Sequence, residues 1–329
     1  MTQFITRDYN DITLKCPQGI IVKRSKEERL KNEIEYYQKI NEYEVGIFFP
    51  RYIGAETDNV DEYVLKIEYH DCENLGIPMI NTKMDKTFWQ SVDVSLKQML
   101  SSFYNVDNFP IENADKHRES MYIDKTENEY KKLVDNFPVF KQIAEYDSLI
   151  INETKYKNFH IVWEPLKKYI KQKLCTKEDF TIIHGDLCFS NILTSKDGNV
   201  LKLIDPRGSF GEDGILGDRR YDIAKLFHSF EGGYEFIIYD KFNVKYKDNK
   251  FNYCIFNDSR KMLSKFLPSI NCPEMYDVDK VDVRLIQGLI YIGMCARHYD
   301  NENRQIAMYL TGIKILNEVF NENFSLNER

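Results

Sequence analysis

The stretch His184-Gly185-Asp186-Leu187-Cys188-Phe189-Ser190-Asn191, followed by Leu201-Lys202-Leu203-Ile204-Asp205, decides how the rest of the chain is read. Asp186 and Asn191 stand five residues apart on a short loop. A second carboxylate, Asp205, closes an apolar strand fourteen residues after Asn191. Phosphoryl transfer needs such a trio. One carboxylate takes the proton of the attacking hydroxyl, while an amide oxygen and the other carboxylate hold Mg²⁺ on the nucleotide phosphates. Mg²⁺ prefers near-octahedral oxygen ligation with few protein ligands, which one Asn and one Asp supply beside phosphates and water.

The remaining composition fits that chemistry. At 329 residues the chain can bury a substantial core in roughly one to three domains. The net charge of −7 and the lack of a dense Lys/Arg run argue against nucleic acid as principal partner. The start Met1-Thr2-Gln3-Phe4-Ile5 has no basic region leading into an apolar core, so no signal peptide is expected. No window nears the roughly 18 apolar residues of a membrane span. The seven cysteines are scattered without a CxxC pair, which disfavours a disulfide framework or zinc site and suits a reducing cytoplasm. Cys188 reads as a small packing residue.

Around the motif the sequence divides into a small mixed part and a larger helical part. Asp11–Lys15 and Gly19–Lys23 are β-prone runs about the turn Cys16-Pro17-Gln18-Gly19. A helix is predicted after Ser25, taken as N-cap with Glu28 in the capping-box position, and Leu30, Ile34, Tyr37 and Ile40 form its apolar face. Arg51–Gly54 and Tyr63–Tyr69 are strand-like, and His70–Pro78 is the linker candidate. From about Asp85 the pattern is mostly helical, with helices over 88–104, 119–137 and 159–174 and two more between Asp279 and Phe320. The exceptions are a hairpin within 181–205, turning at Lys196-Asp197-Gly198-Asn199, and a second within 233–256.

His184-Gly185-Asp186-Leu187 with Asn191, then Leu203-Ile204-Asp205, resembles the aminoglycoside phosphotransferase and choline kinase family. The likeness is strong over about 181–227, coherent over 11–76, and fades in the helical remainder. It implies an α+β, two-lobed protein-kinase-like fold: a small antiparallel β-sheet N-lobe with one helix (1–76, including the hinge) and a larger, mostly helical C-lobe (77–329). Gly185, where protein kinases usually carry Arg, favours the small-molecule branch. The resemblance makes Asp186 the catalytic base, Asn191 and Asp205 the Mg²⁺ ligands, and His184 a residue that fixes the catalytic loop. Lys23 matches the strand lysine on the nucleotide phosphates and Glu33 its helix partner, with Lys15 and Glu35 as register alternatives. Glu68, Tyr69 and His70 fall on the hinge that holds adenine. Asp222, in Gly217-Asp218-Arg219-Arg220-Tyr221-Asp222-Ile223-Ala224, matches the carboxylate that braces the catalytic loop, and Asp218 is that residue's neighbour or a plain N-cap.

Two departures stand out. No Gly-x-Gly-x-x-Gly precedes Lys23, and the corresponding loop near Arg7-Asp8-Tyr9-Asn10 lacks glycine. Pro206-Arg207-Gly208 follows Asp205 in place of Phe-Gly, which points to a constitutively formed site, with Arg207 near phosphates or in an ion pair. The expected activity is ATP- and Mg²⁺-dependent phosphorylation of a hydroxyl on a small molecule by a cytoplasmic enzyme, with a homodimer admitted. A sugar or surface-glycan precursor is preferred, from a general similarity of 184–208 to kinase-like proteins of capsule biosynthesis. Choline, ethanolamine and aminoglycosides are alternatives, and Glu212, Asp213, Asp218 and Asp222 would form an acidic rim for a cationic amine. A non-catalytic nucleotide-binding scaffold is the reading from another class.

Overall fold

The computed structural model describes residues 11–15, 19–57, 62–81, 85–105, 109–176, 179–256 and 258–324. The loop near Arg7–Asn10 and the turn residues Cys16, Pro17 and Gln18 lie outside them.

Four strands, β1 (Asp11–Lys15), β2 (Ile20–Ser25), β3 (Tyr52–Thr57) and β4 (Tyr63–Glu68), form an antiparallel sheet in the order β1-β2-β4-β3. Lys23 lies opposite Ile12 on one side and Leu65 on the other, in the middle of the sheet. Helix α1 (Glu28–Ile40) packs on β4 through Leu30, Ile34, Tyr37 and Ile40, as the sequence spacing requires. Full burial of each such aliphatic side chain is worth roughly 1.5–3 kcal/mol, so this face fixes the roll of α1. That roll turns Glu33 inward with the apolar residues and leaves Glu35 half-buried. The predicted cap is corrected: Ser25 ends β2, its hydroxyl accepts from Glu27 N, and Glu27 is the N-cap.

The expected linker is more ordered than a linker. Its residues form β5 (Glu73–Asn74) and a short helix, Gly76–Ile80. β5 pairs with the hairpin that carries the motif, β8 (Ile192–Thr194) and β9 (Leu201–Leu203), tying the small sheet to the catalytic segment. The chain before that hairpin runs through α2 (Lys86–Tyr104), a continuous helical stretch Ala114–Asn136 that ends as α3 (Lys125–Asn136), and Phe159–Leu174. Both of the latter contain a π-helical turn, Ser120–Asp124 and Ile170–Leu174. Beyond the hairpin lie α4 (Arg219–Phe230), α5 (Tyr234–Ile238), α6 (Lys280–Met294) and α7 (Glu302–Phe324), with α6 against α4 and α7 in the core.

Strand Asp179–Ile182 is not part of the predicted 181–205 hairpin. It pairs with Leu216–Gly217 and Phe109–Pro110 instead. A second sheet was not expected in the helical part: β6 (Ser148–Ile151) and β7 (Thr154–Lys157) join the predicted hairpin, now β10 (Phe242–Lys247) and β11 (Lys250–Ile255). Asn152 and Glu153 make the β6–β7 turn with φ of 48° and 67°, a two-residue connection that suits the strand twist.

Candidate active site

The site forms where the small sheet, α1 and the catalytic hairpin meet. Lys23 Nζ lies 2.6 Å from Glu33 Oε2 and 2.7 Å from Asp205 Oδ1. These contacts join Lys23 to Glu33, whereas Lys15 is exposed at a strand end and Glu35 is only half-buried. Burial alone would lower the Lys23 ammonium, but the Asp205 and Glu33 carboxylates outweigh it and hold the group charged. Asp205 adopts φ 57°, a left-handed conformation that Asp tolerates, after which Pro206 fixes the turn. Its side chain is 40% exposed, so it meets the lysine and remains open to solvent.

Asp222, at the start of α4, accepts from His184 N at 2.6 Å and from Gly185 N at 2.7 Å. Those two bonds fix the backbone that leads into Asp186. His184 adds a third anchor, its Nε2 facing Ile204 O at 3.0 Å and its Nδ1 accepting from Asp186 N. Burial pushes its imidazole down to about 4, which keeps the ring neutral and consistent with a donor at Nε2 and an acceptor at Nδ1. Gly185 has φ 77°, and a Cβ there would lie 2.7 Å from Arg207 Cβ, so this position requires glycine on both counts. Asn191 donates its amide to Asp186 O at 2.9 Å, which leaves its side-chain oxygen available to a metal ion. Among the described residues no three His, Cys, Asp or Glu side chains converge as a metal cage. The hard oxygens of Asp205 and Asn191 fit Mg²⁺ that draws its other ligands from phosphates and water.

Asp186 itself is held by two cations that the sequence reading did not single out. Lys225 Nζ lies 2.7 Å from one carboxylate oxygen and Arg29 Nη2 3.1 Å from the other. Burial would raise the Asp186 carboxyl, but Lys225 and Arg29 dominate and keep it well below the usual carboxylate range. Lys225 follows Asp222 by three residues, one helical turn, which places both on the face of α4 beneath the loop. In a Lys225→Met variant the Asp186 pKa is expected to rise, moving the acid limb of the pH profile of kcat/KM to higher pH. An unchanged acid limb would show that Lys225 does not tune this group. Glu235 on α5 was missed as well: it is fully buried and accepts from Ser190 N and Ser229 Oγ, pinning the far end of the loop.

Three sequence expectations change. The amides of Glu68 and Tyr69 donate to Arg51 O and Gly19 O, because the β-ladder continues one residue past β4. Neither amide is left to donate to adenine, so the hinge expectation narrows to His70 and the carbonyls. The acidic rim is not formed as expected. Asp218 is buried between Arg118 and Arg220 while capping α4, Asp222 braces the loop, and Glu212 pairs with His117. Arg207 makes no ion pair among the described residues. Its amide donates to His184 O and its guanidinium reaches the Tyr221 hydroxyl at 3.4 Å. Cys188 is buried in the core, as expected for packing.

At the level of sequence, no family model and no curated protein matches the chain. Solved structures match across nearly its whole length. A thermostable variant of aminoglycoside phosphotransferase APH(4)-Ia, bound to AMP-PNP and hygromycin B, covers 96% of this chain and 92% of its own at 10% identity, with a TM-score of 0.59. The gentamicin complex of APH(2")-IIa covers 94% and 88% at 15% identity and TM-score 0.52. Aminoglycoside phosphotransferase APH(3'')-Id from Streptomyces rimosus covers 88% and 91% at 13% identity and TM-score 0.53. An antiparallel N-terminal sheet with one helix, joined to a mostly helical remainder, is thus the protein-kinase-like fold of the aminoglycoside phosphotransferases.

Proposed function

We propose that this chain is an ATP- and Mg²⁺-dependent kinase that phosphorylates a hydroxyl group of a small molecule. The observation that carries the reading is the single contact chain from Glu33 through Lys23 to Asp205, with Asp186 and Asn191 on the adjoining loop. Residues 1–76 act as the nucleotide lobe and 77–329 as the lobe that carries the catalytic loop and receives the acceptor. Lys23 holds the phosphates, Asn191 and Asp205 hold Mg²⁺, and bound Mg²⁺ neutralises charge on the β- and γ-phosphate oxygens. Asp186 orients the acceptor hydroxyl and takes its proton as the oxygen–phosphorus bond forms, while ADP leaves with the cleaved bond's electrons. His184 and Asp222 keep the Asp186 backbone in place.

The neighbours bound to AMP-PNP and aminoglycosides are consistent with this reading, as is the solvent exposure of Asp205. A sugar or surface-glycan precursor remains the preferred acceptor, and its place in polysaccharide biosynthesis rests on the sequence resemblance alone. A non-catalytic scaffold on the same fold would bind nucleotide without turnover. Two measurements separate these. Mg-ATP at about 100 times its dissociation constant is expected to stabilise the fold by roughly 2.7 kcal/mol. ADP release on addition of a hydroxyl acceptor, drawn from sugars, amino alcohols and aminoglycosides, is expected of the enzyme. Stabilisation with no release from any of them would favour the scaffold.

A further inference from the structure

A cavity of about 330 Å³ is lined by Ser120, Met121, Lys125, Arg207, Ser209, Gly211 and Arg297. This is at the small end of the ~300–1,000 Å³ usual for small-molecule sites. Three of its lining side chains are cations, two are hydroxyls, and none is a carboxylate. Lys125 comes from the start of α3, just after the π-helical turn Ser120–Asp124. Arg207 and Ser209 come from the segment that follows Asp205, and Arg297 from the turn after α6.

The cations are under-compensated. Among the described residues neither Lys125 nor Arg207 has a carboxylate at ion-pair distance, and both reach the same neutral hydroxyl, Tyr221 Oη, at 3.4 Å. Arg207 Nε is buried with no hydrogen-bond partner. Arg297 has Glu129 at 3.5 Å, but Glu129 is shared with Lys132 at 3.1 Å. Burial first, then Arg207, Arg297 and Lys225, push the Lys125 ammonium well below its usual range. Asp186 is the nearby carboxylate that works against this, and its two oxygens are already held by Lys225 and Arg29. Like charges gathered at a partly buried site are unfavourable until an anion joins them.

Arg207 packs against Gly185, the residue before Asp186, and its amide donates to His184 O. An anionic group held by Arg207 would therefore sit near the loop that carries Asp186, the carboxylate that would orient the acceptor hydroxyl. A polycationic aminoglycoside would meet the Arg207 and Arg297 guanidiniums and the Lys125 amine in this place.

We infer that the acceptor is an anion: a small sugar or polyol carrying a phosphate or carboxylate, whose anionic group is bound by Lys125, Arg207 and Arg297. Guanidinium forks grip such oxyanions bidentately, and an ammonium adds a point charge. The inference rests on the kinase reading above but is tested separately from it.

The test compares sugar phosphates, polyol phosphates, uronic acids, the matching neutral sugars and aminoglycosides, by ADP release and by thermal shift. The highest kcat/KM is expected with a phosphate- or carboxylate-bearing acceptor, the panel itself showing which. Lys125→Gln and Arg297→Gln should each raise KM for that acceptor about 10- to 100-fold, the loss expected for one charge-assisted hydrogen bond. Their Mg-ATP thermal shift should match that of the unaltered protein, which confirms folding. If no acceptor turns over, stabilisation by an anionic sugar that Lys125→Gln abolishes still supports the pocket while counting against the kinase reading. Best turnover on a neutral or cationic acceptor, or neither turnover nor stabilisation with any anion, would overturn the inference.

Discussion

Asp186→Asn is expected to lower kcat by about 10²–10⁴, the usual contribution of a positioned general base. The substitution keeps the shape of the side chain, so the loss measures the carboxylate and not the space it fills. It has a second consequence that has to be separated from the first. Lys225 is almost fully buried and finds its charge partner in Asp186. An amide facing both Lys225 and Arg29 sets donors against donors, and leaving a buried charge unpaired costs up to about 3–5 kcal/mol. The single variant should therefore lose melting temperature as well as turnover. Lys225→Met combined with Asp186→Asn removes both charges and should recover most of the stability while turnover stays low. Thermal melts and ADP release on the singles and the double variant resolve the two effects. Undiminished kcat in Asp186→Asn would sink the assignment of Asp186 as base. Recovered turnover in the double variant would do the same.

The legible part of this protein was the part in which local spacing dictates geometry. Asp186, Asn191 and Asp205 could be read together because a five-residue loop and a short hairpin leave little freedom in where they meet. Helix α1 was legible for the same reason: its apolar spacing sets its roll, and the roll sets which carboxylate turns inward. That the inward carboxylate, Glu33, meets Lys23 depends on the strand opposite, which no helical pattern contains. Lys225 and Glu235 act on the catalytic loop from helices 39 and 45 residues away in sequence, and a buried lysine on an apolar helix face has no local signature. The same holds for Lys125, Arg207 and Arg297, which come from three separate segments and converge only in the folded chain. The β6–β7 hairpin was hidden because its strands are short and its turn lacks glycine, while its stability comes from Asn152, whose side chain hydrogen-bonds both Tyr253 O and Tyr253 N across the sheet. The acidic rim failed for a related reason. Adjacent carboxylates in sequence were sorted by tertiary contacts into a helix cap, a loop brace and a surface pair.

The second large effect is expected at Asp205. Asp205→Asn should lower turnover with Mg-ATP by roughly 10³-fold or more, since metal-assisted charge stabilisation is worth several kcal/mol in the transition state. Asn is the informative replacement because it tolerates the left-handed backbone at this position and can still accept a hydrogen bond from Lys23. Lys23 also keeps Glu33 at 2.6 Å, so no buried cation is stranded and the melting temperature without ligand should change little. What the variant lacks is the second negative oxygen on the cleft side, the atom a divalent ion needs. The thermal shift given by nucleotide with excess chelator should then survive, while the extra shift added by Mg²⁺ disappears. A protein in which Asp205 served only to hold Lys23 would behave differently, because the amide preserves that bond and both Mg²⁺ dependence and turnover would persist. The comparison of nucleotide-induced melts with and without Mg²⁺ therefore distinguishes a metal ligand from a structural partner of the lysine, and does so whatever the acceptor proves to be.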